Sequence, residues 1–173
     1  MSGFITTKSL NLTTADAIAS LAIKAAKSNG FNPISVCVMD PAGAEIVTKR
    51  MDGCPAMAYP KISAAKANTC VSTKSSSRAY GAKYLKGPNG PVGPEVFARV
   101  LNQISIMDGK MAAFQGGILV RDKCTNEIVG SVGVSGAAGD EDEYCALYGV
   151  QHCLMGTSLI TEPAVHSCKA LSK

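Results

Sequence analysis

Five short stretches carry side chains that can do chemistry. Arg50-Met51-Asp52-Gly53 sets a guanidinium, a thioether and a carboxylate on a glycine turn, a set that can grip a carboxylated ligand and touch an apolar one. Lys66 and Thr69 stand three residues apart on one expected helix, so an amine and a hydroxyl address the same spot; such a lysine binds a carboxylate or titrates low. Asp140-Glu141-Asp142-Glu143 opens the last helix, where carboxylates oppose the positive end of the macrodipole. There Asp140 can cap, and Glu143 can ion-pair with Lys66 or serve as a general base. Tyr80 with Tyr84, and Tyr144 with Tyr148, repeat at four-residue spacing, each pair sharing a helix face. Packing is the ordinary role of such pairs, and iron ligation a rarer one.

The two histidines offer less. His152 sits between Val150 and Cys153 on an apolar helix and reads as a core or interface residue, and His166 lies in the tail. No phosphate-loop fingerprint accompanies the glycines, no Ser-His-Asp or Cys-His order stands out, and the cysteines lack zinc spacing.

The elements that must position these groups follow from hydrophobic period and turn chemistry. Thr13 or Thr14 can cap a helix over residues 15–28 that ends before Gly30, with Ile18, Leu21, Ala22 and Ala25 on one face. Residues 34–40 alternate as a strand with Ile34, Val36 and Val38 on one side, and Pro41-Ala42-Gly43 turns the chain into a partner strand over 44–49. Helices are expected after Pro55, with Ile62, Ala65, Lys66 and Thr69, over 76–85, and briefly over 94–101. Gly87 to Pro94 between the last two reads as a mobile loop or lid. A second hairpin joins 115–121 to 128–135 around Asp122 to Asn126, and a last helix spans 142–155. In Gly130-Ser131-Val132-Gly133-Val134-Ser135-Gly136, Ser131, Gly133 and Ser135 leave one side of the strand almost bare, so a ligand or a second backbone can come close. Helix, hairpin, helices, hairpin, helix is an α+β order: a single antiparallel β-sheet flanked by α-helices.

Bulk properties bound the function. The chain of 173 residues, 46% hydrophobic, suits one domain over 1–173, with a core at about 13–155 and a weakly patterned tail, 156–173, that docks on a partner or stays loose. A net charge of +4 with scattered lysines and 5% aromatics leaves little for nucleic-acid stacking, so no nucleic-acid partner is expected. The one loose basic cluster, Lys74, Arg78, Lys83 and Lys86, reads as a solvated helix face that could serve an anionic ligand. Seven cysteines are an odd number, and Cys37, Cys70, Cys145 and Cys153 sit in core-like contexts. Reduced thiols, a cytoplasmic location and no membrane span are the expectations.

Val38-Met39-Asp40-Pro41-Ala42-Gly43, Arg50-Met51-Asp52-Gly53, Lys66-Ala67-Asn68-Thr69, Gln115-Gly116-Gly117 and the Gly130 to Gly136 strand with its acids occur in the order found in the GlcG/HbpS-like family, which this sequence resembles over about 13–154. The resemblance implies a profilin-like layering of helices on an antiparallel sheet and a homo-oligomer built from dimers. It also implies a tetrapyrrole ligand, haem first, with other tetrapyrroles or a corrinoid as variants. Carried onto this sequence, the ligand contacts fall on Arg50, Met51, Asp52, Lys66, Thr69, Gly136 and Glu143, with Arg50 on a propionate and Met51 against the macrocycle. The chain departs from the family pattern between Tyr84 and Gln115 and at the Asp122 to Asn126 turn, and neither histidine falls in a family motif. The first expectation is therefore a soluble, oligomeric haem- or tetrapyrrole-binding protein serving haem storage, sensing or turnover. The alternative is an enzyme or accessory protein for a small carboxylated or oxidised metabolite, with Lys66 and Glu143 as acid/base pair. A third is an oligomer whose glycine strand serves packing only.

Overall fold

The computed structural model describes residue 3, residues 5–87 (85–87 as backbone) and residues 90–171. In chain order the elements are α1 (Leu12–Ser28), β1 (Ser35–Met39), β2 (Glu45–Arg50), α2 (Tyr59–Thr73), α3 (Ser77–Leu85), the two-residue strands β3 (Lys86–Gly87) and β4 (Gly90–Pro91), α4 (Pro94–Ile106), β5 (Gly117–Asp122), β6 (Ile128–Ser135), α5 (Gly139–His152) and β7 (Leu159–Glu162). Five strands form one antiparallel sheet in the order β2-β1-β6-β5-β7. This is the expected α+β arrangement with one strand more, because residues 159–162 of the tail pair with β5.

The two sheet faces are built differently. Val36, Val38, Ile118, Val120, Val132 and Val134 meet Ile18, Ala22, Ala146, Leu147 and Val150 of α1 and α5 in the main core. On the other face, small residues let α2 lie almost on the strands. A Cβ at Gly133 would run into the Ser63 carbonyl and come within 2.6 Å of the Ala67 nitrogen, and one at Gly117 would lie 2.6 Å from the Lys66 carbonyl. Ser131 Oγ donates to the Ala67 carbonyl at 2.9 Å, and Ser35 and Ser63 hydroxyls meet at 3.3 Å. The second backbone that the bare strand admits is therefore that of α2.

Local signals explain most boundaries, and several move. Asn11, not Thr13 or Thr14, caps α1: its Oδ1 accepts the Thr14 N–H at 2.9 Å. Pro60 falls in the first turn of α2, where its missing N–H costs nothing. α4 runs five residues past the expected end at Leu101, because Val100, Ile104 and Met107 carry its apolar stripe onward against Tyr80 and Met111. α5 starts at Gly139 rather than Asp142, with Glu141 reaching back to the Ala138 N–H at 3.0 Å. In the β5–β6 turn, Asp122 Oδ1 accepts the Cys124 and Thr125 N–H groups, both at 2.8 Å. Pro88 and Asn89, at the tip of the expected lid, and the Lys86 side chain lie outside the described residues. Cys37, Cys70, Cys145 and Cys153 are buried, and Cys124 alone of the seven cysteines is exposed. No helix among the described residues is long and apolar enough to cross a membrane.

The described part of the tail closes over α5. Lys169 N–H donates to Asp140 Oδ2 at 2.9 Å, Ser167 Oγ donates to Glu143 at 3.2 Å, and Cys168 is fully buried. It is docked on its own chain.

Candidate functional site

Strand register gathers the motif residues at one end of the sheet. Ser35 lies between Arg50 and Ser135, so the Arg50 to Gly53 turn and Gly136 are neighbours. Gly136, at φ +145°, brings the chain so close that a Cβ there would lie 2.8 Å from the Ile34 Cα. Arg50 is exposed, with Nη1 donating to the Cys54 carbonyl at 2.7 Å. Met51 turns inward, where its sulfur accepts the Ile34 N–H at 3.4 Å and packs against the main core. Asp52 is exposed in the turn.

Behind this turn, Lys66 is 1% exposed. Its Nζ donates to Asp142 Oδ2 at 2.8 Å and to the Val134 carbonyl at 2.7 Å, and the half-exposed Phe114 ring covers it with the centroid at 5.3 Å. Asp142 also accepts the Ala137 N–H at 3.0 Å. Burial pulls the Lys66 amine down from its ordinary range while Asp142 pulls it up. Burial likewise pushes the Asp142 carboxyl up to about 6 against the opposing pull of Lys66.

The expected partnership of Lys66 with Glu143 is therefore corrected. Glu143 is fully buried and faces away, with Arg78 Nε 3.2 Å from Oε2 and the Ser167 hydroxyl on Oε1. The Arg78 contact lacks hydrogen-bond geometry, so Oε2 is held by charge alone. Burial raises the Glu143 carboxyl, with Arg78 and Ser167 opposing. Two carboxylates one residue apart on α5 thus serve two separate cations, and the acid/base pair of the enzymatic alternative does not assemble.

Thr69 is also spent inside the chain. Its hydroxyl accepts the Ala112 N–H at 2.8 Å and donates to the Ala65 carbonyl at 2.8 Å, tying the strand approach before β5 to α2. Thr69→Val leaves a buried N–H without a partner and is expected to cost about 1–3 kcal/mol, read as a lowered urea midpoint, while Thr69→Ser stays near wild type.

Open space lies elsewhere, between α3 and α4. A groove of about 580 Å³ is walled by Tyr80, Tyr84, Ile106, Met107 and Met111, with Lys83 and Gln103 at its polar edge. Its floor is the small second core of Tyr80, Val100, Met111 and Ala113. Gly81 lets the Ala113 carbonyl pass where any other residue would place a Cβ. Tyr80 donates to Gln103 Oε1 at 2.6 Å, and Gln103 Nε2 makes a long contact of 3.5 Å to the Tyr84 oxygen. Of the described side chains of the loose basic cluster, Lys83 joins the groove, its Nζ 5.2 Å from the Tyr84 ring centroid, and Arg78 is turned onto Glu143. A second concavity, about 530 Å³, lies beside the β1–β2 turn and is lined by Glu45, Thr48, Lys61, Asn68, Asp108 and Lys110 among others.

The histidines stand apart from both. His152 is exposed rather than buried, stacked on Tyr148 at 3.9 Å with Nδ1 3.0 Å from the Tyr148 carbonyl. His166 packs edge-on to Tyr144 at 5.1 Å.

Sequence reasoning missed Asp142 as the partner of Lys66. Its signal was periodicity, since Asp142, Cys145, Ala146, Gly149 and Val150 share the buried face of α5. Gln103, Met107 and Met111 had no comparable signal.

A five-stranded antiparallel sheet with helices on both faces, and α2 seated on a glycine and serine face, defines the class of protein. The chain belongs to the family described as haem degrading protein HbpS-like, whose model matches residues 10–151. It is 28% identical to a double mutant of HbpS from Streptomyces reticuli, with 86% of this chain and 90% of that chain covered and a TM-score of 0.67. The protein ORFY of Klebsiella pneumoniae is 20% identical over 86% and 93% of the two chains, with a TM-score of 0.70. PduOC, solved as a haem complex, is 21% identical over 82% and 92%, with a TM-score of 0.66. The last two likenesses show the fold alone. No curated protein matches the chain.

Proposed function

We propose that this protein binds haem or a closely related tetrapyrrole, as a homo-oligomer built from dimers, in haem storage, sensing or turnover. The observation that carries the reading is the α3–α4 groove, an apolar cleft of small-molecule size in a chain of the haem degrading protein HbpS-like family. Similarity to HbpS and the haem complex of the PduOC fold relative support it.

The groove residues fit such a group. When bound, haem supplies a flat apolar macrocycle, an iron and two propionates. Ile106, Met107 and Met111 offer an apolar and polarisable wall for a ring face, Tyr80 and Tyr84 offer aromatic edges, and Lys83 offers a cation to a propionate. Of the seven motif residues, Met51, Lys66, Thr69 and Glu143 are committed to partners within the chain, and Gly136 serves a close backbone approach. Exposed Asp52, and the part of the exposed Arg50 guanidinium not bonded to the Cys54 carbonyl, are left to meet a ligand at the sheet end or across a subunit boundary. Half-exposed Phe97 and Leu101 on α4 and the exposed Met57 give a second copy apolar surface to cover.

A haemin titration followed by the Soret band tests the reading and its location together. Wild type should saturate, with light scattering giving at least a dimer. Lys83→Glu should weaken binding about tenfold or more, through loss of a charge-assisted contact and gain of a repulsive one, while Arg50→Ala changes it less. The reverse ranking would move the ligand to the Arg50 turn, and absence of any Soret shift would end the tetrapyrrole reading.

A further inference from the structure

The groove holds two phenols that look equivalent in sequence and are unlike in the structure. Tyr80 is 5% exposed, and its hydroxyl donates to Gln103 Oε1 at 2.6 Å, so its proton is committed. Because that bond claims the amide oxygen, the Gln103 amide nitrogen is the atom left facing Tyr84. Among the described residues, the Tyr84 oxygen is approached by a donor and no acceptor holds its proton. The rings are 5.0 Å apart and tilted by 58°, so the two oxygens share one amide between them.

We infer that Tyr84 supplies the phenolate oxygen that ligates the ferric iron of the bound tetrapyrrole. This rests on the groove reading above and names its iron ligand. Beside the Lys83 amine and the neutral hydroxyls of Ser72, Thr73 and Ser75, the lining offers iron phenol oxygens at Tyr80 and Tyr84 and thioethers at Met107 and Met111. Ferric iron is hard and prefers an anionic oxygen to a soft sulfur. Neither histidine lines the groove: His152 lies against Tyr148, and His166 Nδ1 accepts the Cys168 N–H at 3.2 Å. Of the two phenols, Tyr80 would have to abandon a short, part-buried hydrogen bond. Tyr84 is half-buried at the polar edge, beside the Lys83 ammonium.

The electrostatics run the same way. The Gln103 contact, then the Lys83 and Arg99 charges, hold the Tyr84 phenol below its ordinary value, whereas burial raises that of Tyr80. Ligation breaks the Tyr84 O–H bond, sends the proton to solvent, and forms the iron–oxygen bond from the phenolate electron pair. The water or hydroxide that occupied the position on free ferric haemin leaves. Iron stays ferric, and no oxidant or reductant is consumed.

Ferric haemin is titrated into wild type, Tyr84→Phe, Tyr84→His and Tyr80→Phe, with resonance Raman spectra of each complex. Wild type should show iron–phenolate modes. Tyr84→Phe should lose them and bind at least about tenfold more weakly. Tyr80→Phe should keep them, and Tyr84→His should replace them with an imidazole-ligated spectrum. Binding with a Soret shift but without phenolate modes, modes that survive in Tyr84→Phe, or a wild-type spectrum from Tyr84→His overturns the assignment and leaves tetrapyrrole binding standing. Wild type that takes up no haemin overturns both.

Discussion

Gly133→Val should abolish the folded state. The substitution is favoured locally, since a β-branched residue suits a strand better than glycine does. Any loss must therefore come from what lies above the strand. That is the backbone of α2, with the Ser63 carbonyl and the Ala67 nitrogen in the space a Cβ would take. Backbone atoms cannot change rotamer, so α2 must lift from the sheet. Lifting it breaks the Ser131 bond to Ala67 and the Lys66 bonds to Val134 and Asp142 together. Ordinary overpacking costs about 1–3 kcal/mol, and a backbone clash that uncovers a buried charge belongs at or beyond the top of that range. Against a total stability of about 5–15 kcal/mol the variant is expected to aggregate or melt without a cooperative transition, and Gly133→Ala to be damaged less. Circular dichroism melts decide it. A wild-type melting temperature for Gly133→Val would mean that α2 does not sit on β6.

The same glycine shows how far the chain could be read in advance. Its neighbours announced a strand with one bare side, and the paired hairpins and amphipathic α1 followed from period and turn chemistry. Whether a ligand or a helix filled the bare side is a tertiary fact that no local pattern carries. β7 was lost for a related reason. Leu159-Ile160-Thr161-Glu162 is short, is nowhere fully buried, and becomes a strand only because β5 offers a free edge. That the Arg50 turn lies beside Gly136 follows only from the pairing of β1 with both β2 and β6, which no single motif states. The groove was not legible as a site. Tyr80 and Tyr84 were visible as a helical pair, but Gln103, Met107 and Met111 arrive from α4 and the segment after it, where the family pattern fades. Asp142 was hidden in a run of four acids whose members look alike until the helix rotates each toward a different neighbour. Asp140 takes the tail, Glu141 the Ala138 amide, Asp142 the lysine and Glu143 the arginine.

Asp142→Ala should be the most damaging change that removes atoms without adding any. It leaves the Lys66 ammonium at 1% exposure with only the Val134 carbonyl and the Phe114 ring for company. Breaking a buried ion pair from one side costs about 3–5 kcal/mol, because the remaining charge stays desolvated and uncompensated. Lys66→Met should cost less than Asp142→Ala, since the carboxylate it strands still accepts the Ala137 N–H and can take up a proton. Burial already raises the Asp142 carboxyl to about 6 in the folded chain, so its contribution to stability is fullest below about pH 4 and is lost as pH rises through 6. Lys66 is held low, so its contribution is lost as pH falls from its ordinary range through the depressed value. Near neutrality both signs say that the ionised pair bears an unrecovered desolvation cost. The double variant Lys66→Met/Asp142→Leu should consequently be more stable than Asp142→Ala alone. It should still fall short of wild type, because the Val134 carbonyl and the Ala137 amide lose their partners. With the single Asp142→Leu variant added, the urea midpoints of wild type, Lys66→Met, Asp142→Leu and the double variant close a cycle that gives the coupling, and additive losses would show that Lys66 and Asp142 do not share one buried bond.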